Sequence, residues 1–174
     1  MESVYSRFRQ EEVVSQRQKK YVKYFRKGEL VLDVGCGRGE FLELPLKEFY
    51  DGIFASHVLE HLPPDSVTEF IGNCHRALKP QGKLIAITPN PENLQVITCT
   101  FWLDLTHRRP YPLILLKALF EKSGFEIIDS GEDSDTKSAS LKRRMISFWV
   151  KSILSAKLAQ ALYGAQDIFI VGKK

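Results

Sequence analysis

Three glycines at alternate positions follow a short apolar run: Leu30-Val31-Leu32-Asp33-Val34, then Gly35-Cys36-Gly37-Arg38-Gly39-Glu40. The run reads as a buried strand, and the glycines stop it. Glycine allows a tight turn and lets a ligand approach the backbone without meeting a β-carbon. A loop of this kind, between a strand and a helix start, lies at the carboxyl end of an open α/β sheet, where ligands bind. Its N–H groups favour an anionic group such as a carboxylate or phosphate. Asp33 can pair with an ammonium group on the same ligand. A dinucleotide fingerprint would need a glycine where Glu40 stands, so the spacing disfavours a nicotinamide-dependent oxidoreductase. A tight turn without a ligand is the plain alternative.

The rest of the chain alternates strand and helix signals. Residues 1–28 read as an N-terminal helix whose end carries Tyr21, Tyr24 and Phe25 at helical spacing. Ile53-Phe54-Ala55 is a second strand. Ser66 and Glu69 form a capping-box pattern ahead of the stripe Val67, Phe70, Ile71, Cys74 and Leu78, and Pro80-Gln81-Gly82 ends that helix. Lys83–Thr88 is a strand closed by Pro89-Asn90-Pro91. Residues 92–110 read as loop or short helices, 112–122 as a helix capped by Gly124, and 125–129 as a strand. Gly131–Ser140 reads as a polar linker, 141–163 as one basic amphipathic helix, and Asp167–Val171 as the last strand. The alternation predicts a single α/β domain over residues 1–174.

The segment 31–44, V-L-D-V-G-C-G-R-G-E-F-L-E-L, resembles motif I of class I S-adenosylmethionine-dependent methyltransferases. Residues 49–91 are similar to that family's fourth and fifth strands and the helix between them. Asp104-Leu105-Thr106-His107-Arg108-Arg109-Pro110, with Ser123-Gly124-Phe125 beyond it, resembles the D-x-T-H-x-x-P segment of bacterial and archaeal members associated with glycan and lipopolysaccharide synthesis. The resemblance implies a Rossmann-like methyltransferase sheet with helices on both faces and S-adenosyl-L-methionine as cofactor. It places Asp33, Gly35, Cys36, Gly37 and Gly39 around the methionine end of the cofactor, and Ser56 and His57 on its sulfonium side. The methyl group is already activated in such a site, so positioning supplies much of the rate, and a base is needed only where the acceptor must lose a proton.

Four histidines are present. His107 is the favoured general base, because Asp104 and Thr106 stand close enough in sequence to orient its ring; mutual bracing of these three at a helix entry is the alternative. His57 and His61, flanking Glu60, are the alternate catalytic groups. Glu60 and His61 can also ligate a divalent cation, but two ligands are too few, and no metal centre is expected. His75 falls off the apolar stripe of its helix and reads as a surface residue. Phe101 and Trp102 either wall an acceptor pocket or belong to the core.

One part of the resembled fold has no room. A ribose-binding acid is expected roughly 20 residues after the glycine loop, yet only 12 positions separate Gly39 from Asp51. A βαβ unit takes about 30 residues. The family's second and third strands are therefore missing, the sheet is abbreviated to about five strands, and Leu30–Val34 becomes an edge strand. An apolar edge seeks a partner, which predicts a homodimer with the edge covered, or else poor solubility.

The chain of 174 residues, with 44% hydrophobic and 26% charged residues, has the composition of one globular domain rather than a disordered or membrane-spanning chain. A net charge of +4 is too small to indicate nucleic acid, and none is expected as a partner. Three cysteines without a CxxC pair, and no signal-peptide pattern, point to the cytoplasm. The basic 141–163 segment either packs on the sheet or a second subunit, or makes a peripheral membrane contact. The expected activity is methyl transfer to an oxygen of a sugar, lipid-linked glycan or other small acceptor. The alternative is a non-catalytic remnant of the same fold that serves dimerisation or partner binding.

Overall fold

A computed structural model describes residues 18–35, 48–134, 149 and 155–174. Five strands form one sheet: β1 (Val31–Val34), β2 (Tyr50–Ser56), β3 (Leu78–Pro89), β4 (Glu126–Glu132) and β5 (Asp167–Lys173). Their order is β1-β2-β3-β5-β4, with β1, β2 and β3 parallel and β5 antiparallel to both its neighbours. This is the abbreviated sheet expected above. Among the described residues the α-helices of more than one residue are α1 (Pro64–Ala77), α2 (Leu94–Thr98), α3 (Leu113–Lys122) and α4 (Ala156–Tyr163).

Side chains alternate across the sheet, and each face has its own core. Ile53, Ala55, Leu84, Ala86, Ile168 and Ile170 meet α1 and α3 through Val67, Phe70, Ile71, Leu116 and Phe120 on one face. Phe54, Ile85, Ile87 and Val171 meet Tyr21 on the other. Tyr21 belongs to a 3-10 turn, Lys19–Tyr24, that continues directly from the helical Gln18; the earlier part of that expected helix lies outside the described residues. The turn is tied down at the far side of the sheet: the Tyr21 hydroxyl donates to Asp133 Oδ2 at 2.9 Å, and that of Tyr24 donates to Asp129.

Three local expectations change. Helix α1 starts at Pro64, not at a Ser66 cap; proline at the first position lacks an N–H to satisfy, and Ser66 N–H bonds to Pro63 O at 2.9 Å. Pro80-Gln81-Gly82 does not separate helix from strand. It lies within β3, where the register against β2 shifts between Tyr50 and Gly52. Residues 141–163 are not one helix. Ser155 is extended (φ −166°, ψ 155°), and its side chain accepts from Leu158 N to start α4 afresh. The basic part of that segment, 141–148 and 150–154, lies outside the described residues.

Gly124 follows α3 at φ +95°, as a C-terminal cap requires. His75 is not simply a surface residue: it is half-buried and meets Phe125 edge-on at 5.0 Å. Asn90 and Asn93 hold the far end of α4. Asn90 Nδ2 donates to Ala165 O at 3.0 Å, and Asn93 Nδ2 to Gly164 O at 3.0 Å. The Asn93 side-chain oxygen also accepts from Gln95 N and Val96 N, capping α2.

Candidate active site

The parallel strands β1 and β2 run in register from Val31 opposite Gly52 to Val34 opposite Ala55. Their carboxyl ends therefore adjoin, bringing Asp33 and Gly35 beside Ser56 and His57. Among the described residues a β-carbon at Gly35 would meet nothing within 4 Å. Partial burial pushes the Asp33 carboxyl up from the ordinary carboxylate range. Cys36, Gly37 and Gly39, expected on the same ligand, lie outside the described residues.

Strand β2 ends at Ser56 because His57 takes a left-handed backbone conformation, φ 56°. A non-glycine residue in that region is uncommon and is held by its surroundings. Here the His57 N–H donates to Ile87 O at 2.9 Å, and its Nδ1 lies 2.9 Å from Glu60 Oε1. The reversal feeds the 3-10 turn Leu59–His61, which places Glu60 inward and His61 outward.

Glu60 is completely buried. Burial alone would push its carboxyl up, but the hydrogen bond and charge of His57 outweigh it and hold the group below the usual range. Its second oxygen accepts from Thr88 Oγ1 at 3.1 Å, from the end of β3. Its backbone carbonyl accepts from Arg108 N at 2.8 Å and Arg109 N at 3.4 Å. Glu60 thus joins β2, β3 and the 104–109 loop in one residue.

That loop carries His107, whose ring stands 4.6 Å from that of His61, centroid to centroid. His57, His61 and His107 are therefore brought into one neighbourhood around Glu60. The bracing differs from expectation. Asp104 and Thr106 do not orient His107; they serve His61. The Thr106 hydroxyl donates to Asp104 Oδ1 at 2.7 Å, so its oxygen accepts from His61 Nδ1 at 2.8 Å. His107 Nδ1 lies 2.7 Å from the carbonyl of Phe101, which only accepts. Both rings accordingly carry their proton on Nδ1 and their lone pair on Nε2 when neutral. Burial pushes the His61 imidazole below its ordinary value, partly offset by Glu60. Asp104, despite some burial, is held below the usual carboxylate range by its bonds from Thr106.

Phe101 is core, 1% exposed, and packs against the His107 ring at 4.5 Å. Trp102 is 57% exposed, with Leu103 and Leu105 beside it in sequence also exposed. The sequence reading missed Glu60 as the hub. A glutamate on the apolar stretch Val58–Leu62 was the available signal, since a carboxylate there is buried and needs partners.

The model of a methyltransferase domain family matches residues 43–130, half of the chain, and the chain belongs to that family. No curated protein sequence matches it. Among solved structures, a SAM dependent methyltransferase from Archaeoglobus fulgidus is 28% identical, with a TM-score of 0.71 over 94% of each chain. The complex between the Haloferax volcanii Trm112 methyltransferase activator and a methyltransferase is similar at 11% identity and a TM-score of 0.63, covering 93% of this chain and 91% of that one. A Burkholderia thailandensis 1,6-didemethyltoxoflavin-N1-methyltransferase, solved with 1,6-didemethyltoxoflavin and S-adenosylhomocysteine, matches at 14% identity and a TM-score of 0.61, covering 94% and 79%. The sheet, abbreviated among the described residues, is thus that of the Rossmann-like S-adenosylmethionine-dependent methyltransferases.

Proposed function

We propose that this methyltransferase transfers the methyl group of S-adenosylmethionine to an oxygen of a sugar, a lipid-linked glycan or a similar small acceptor. Asp33 and Gly35 would hold the methionine end of the cofactor, with Ser56 and His57 on its sulfonium side. The adjoining carboxyl ends of β1 and β2, and a Gly35 that no other described residue crowds, fit that group. No described residue is assigned to its ribose. The cofactor supplies an activated methyl group on sulfur, so the chain's own task is to position the acceptor oxygen and receive its proton.

The observation that carries the oxygen reading is the pair of imidazoles with Nδ1 bound, His61 to Thr106 and His107 to Phe101. Each keeps an Nε2 lone pair as an acceptor for a hydroxyl proton, His107 first and His61 second. His57, held by Glu60 at the end of β2, lines the cofactor side. The open outer edge of β1 among the described residues supports pairing with a second copy of the chain.

Calorimetric titration with S-adenosylmethionine tests the reading: micromolar binding is expected, and no heat at millimolar ligand overturns it in favour of a non-catalytic remnant. His107→Ala is expected to lower turnover by about 100-fold or more while leaving cofactor affinity within a few-fold. Unchanged turnover removes His107 from the chemistry.

A further inference from the structure

We propose that Glu60, His61 and His107 form a binding site for a first-row divalent cation, which would hold the acceptor oxygen. For the acceptor this rests on the function proposed above; the binding itself does not. One ring nitrogen from each histidine and one Glu60 carboxylate oxygen lie within 4.8 Å of one another. Donors bound to one ion at about 2.0–2.2 Å stand at most roughly 4.4 Å apart, so small side-chain rotations close the set.

The hydrogen bonds around the two rings suit a metal site. Metal-ligating histidines donate their other ring N–H to an oxygen acceptor such as a carboxylate, a backbone carbonyl or water. His107 Nδ1 donates to the Phe101 carbonyl, and His61 Nδ1 donates to Thr106, itself fixed by Asp104. Each ring is thereby locked with its lone pair on Nε2, and among the described residues no hydrogen bond reaches either Nε2. Glu60 is held from the other side by His57 and Thr88. An ionised carboxylate has about four lone-pair positions, and the Glu60 backbone N–H takes a third, so one remains for an ion.

A plain acid–base pair needs only one such histidine. Here two imidazoles, their ring centroids 4.6 Å apart, stand beside a buried carboxylate, with one ring nitrogen of each within 4.8 Å of a Glu60 oxygen. A cation would join these three donors. The set of two imidazoles and one carboxylate suits Mn, Fe, Co, Ni or Zn rather than an all-oxygen ion such as Ca. Glu60 is buried while His61 and His107 are half-buried, so the ligand set is anchored inside and open on the side where the remaining positions would take water or a hydroxyl. A hydroxyl oxygen held there would have a lower pKa and give its proton to solvent, since in the ion-bound form the two imidazoles serve as ligands and not as bases. The oxygen anion left would attack the activated methyl group as the sulfonium leaves as a neutral thioether.

The test uses the full chain, stripped with EDTA and free of cofactor, titrated with MnCl2, CoCl2 and ZnCl2. One equivalent per chain at micromolar affinity is expected, with a visible d–d absorption band for cobalt. His61→Gln and His107→Gln should each weaken binding at least 10-fold. Thr106→Val, which touches no ligand position, should weaken it about 10–100-fold by releasing His61. Circular dichroism on each variant separates misfolding from loss of a ligand, and Thr106→Val, exposed, keeps the test alive if a histidine variant unfolds. No binding of any of the three ions overturns the site, as does binding that all three variants leave unchanged. Ion binding without methyl transfer leaves the site standing and refutes the function above. Transfer that survives EDTA, with no binding, does the reverse.

Discussion

The Nδ1 of His57 and the Oε1 of Glu60 lie 2.9 Å apart, and the two residues are three positions apart on a turn with no solvent access to the carboxylate. The pair forms because His57 leaves β2 in a left-handed conformation, folding the chain back so that position 60 points inward. A buried carboxylate without such a partner would be driven to its neutral form.

Glu60→Ala should therefore cost about 2–3 kcal/mol in chemical denaturation, because it leaves His57 and Thr88 without their acceptor. Glu60→Gln should cost less, since the amide oxygen still accepts one of the two bonds. Equal losses for both would show that the charge, not the hydrogen bonding, holds the turn.

Asp51 sets an acid limit on the start of the sheet. The Lys79 ammonium, then the Leu30 N–H, hold its carboxyl below the usual value of 3.8. A carboxyl whose folded pKa is depressed contributes stability above its unfolded pKa and loses it as pH falls through the folded one. Stability should thus drop between about pH 4 and the lower folded value, and Asp51→Asn should flatten that part of the profile. A thermal-melt series from pH 7 to pH 2.5 reads it.

Gly124→Ala should lower stability by at least about 1 kcal/mol, because φ +95° is strained for any residue with a β-carbon. The added carbon would also stand 3.1 Å from His75 Nε2, disturbing the contact of His75 with Phe125. Denaturation of the double variant with His75→Ala separates the two effects: the steric part vanishes and the backbone part stays.

Asn93→Ala should cost about 2–4 kcal/mol, since one buried side chain caps α2 and holds Gly164 and Ala165 at once. Asn93→Asp keeps the cap and loses the donor, so an intermediate loss is expected. Urea midpoints for the two variants give the division directly.

The fold was readable where one local pattern dictates one outcome. The apolar stripe of α1, the glycine after α3 and the alternating apolar runs of the sheet each left a single way to bury their side chains. The sequence misled where backbone chemistry offered two routes. Pro64 competed with Ser66 for the helix start, and Gly82 fitted a bulge as well as a break. The three histidines were legible as candidates, but their partners were not. Thr106 stands next to His107 in the chain yet bonds to His61, 45 residues away, because the loop's path and not its order decides contacts. The third ligand of the candidate metal site was hidden for the same reason.

The backbone carbonyl of Glu60, bonded to the amides of Arg108 and Arg109, works as a clasp between two distant parts of the chain. Its consequence is mechanical. Any rearrangement that lifts the 104–109 loop must pull on the same residue whose carboxylate fixes His57 at the end of β2. The loop and the end of that strand are therefore geared together through one glutamate, main chain to one and side chain to the other.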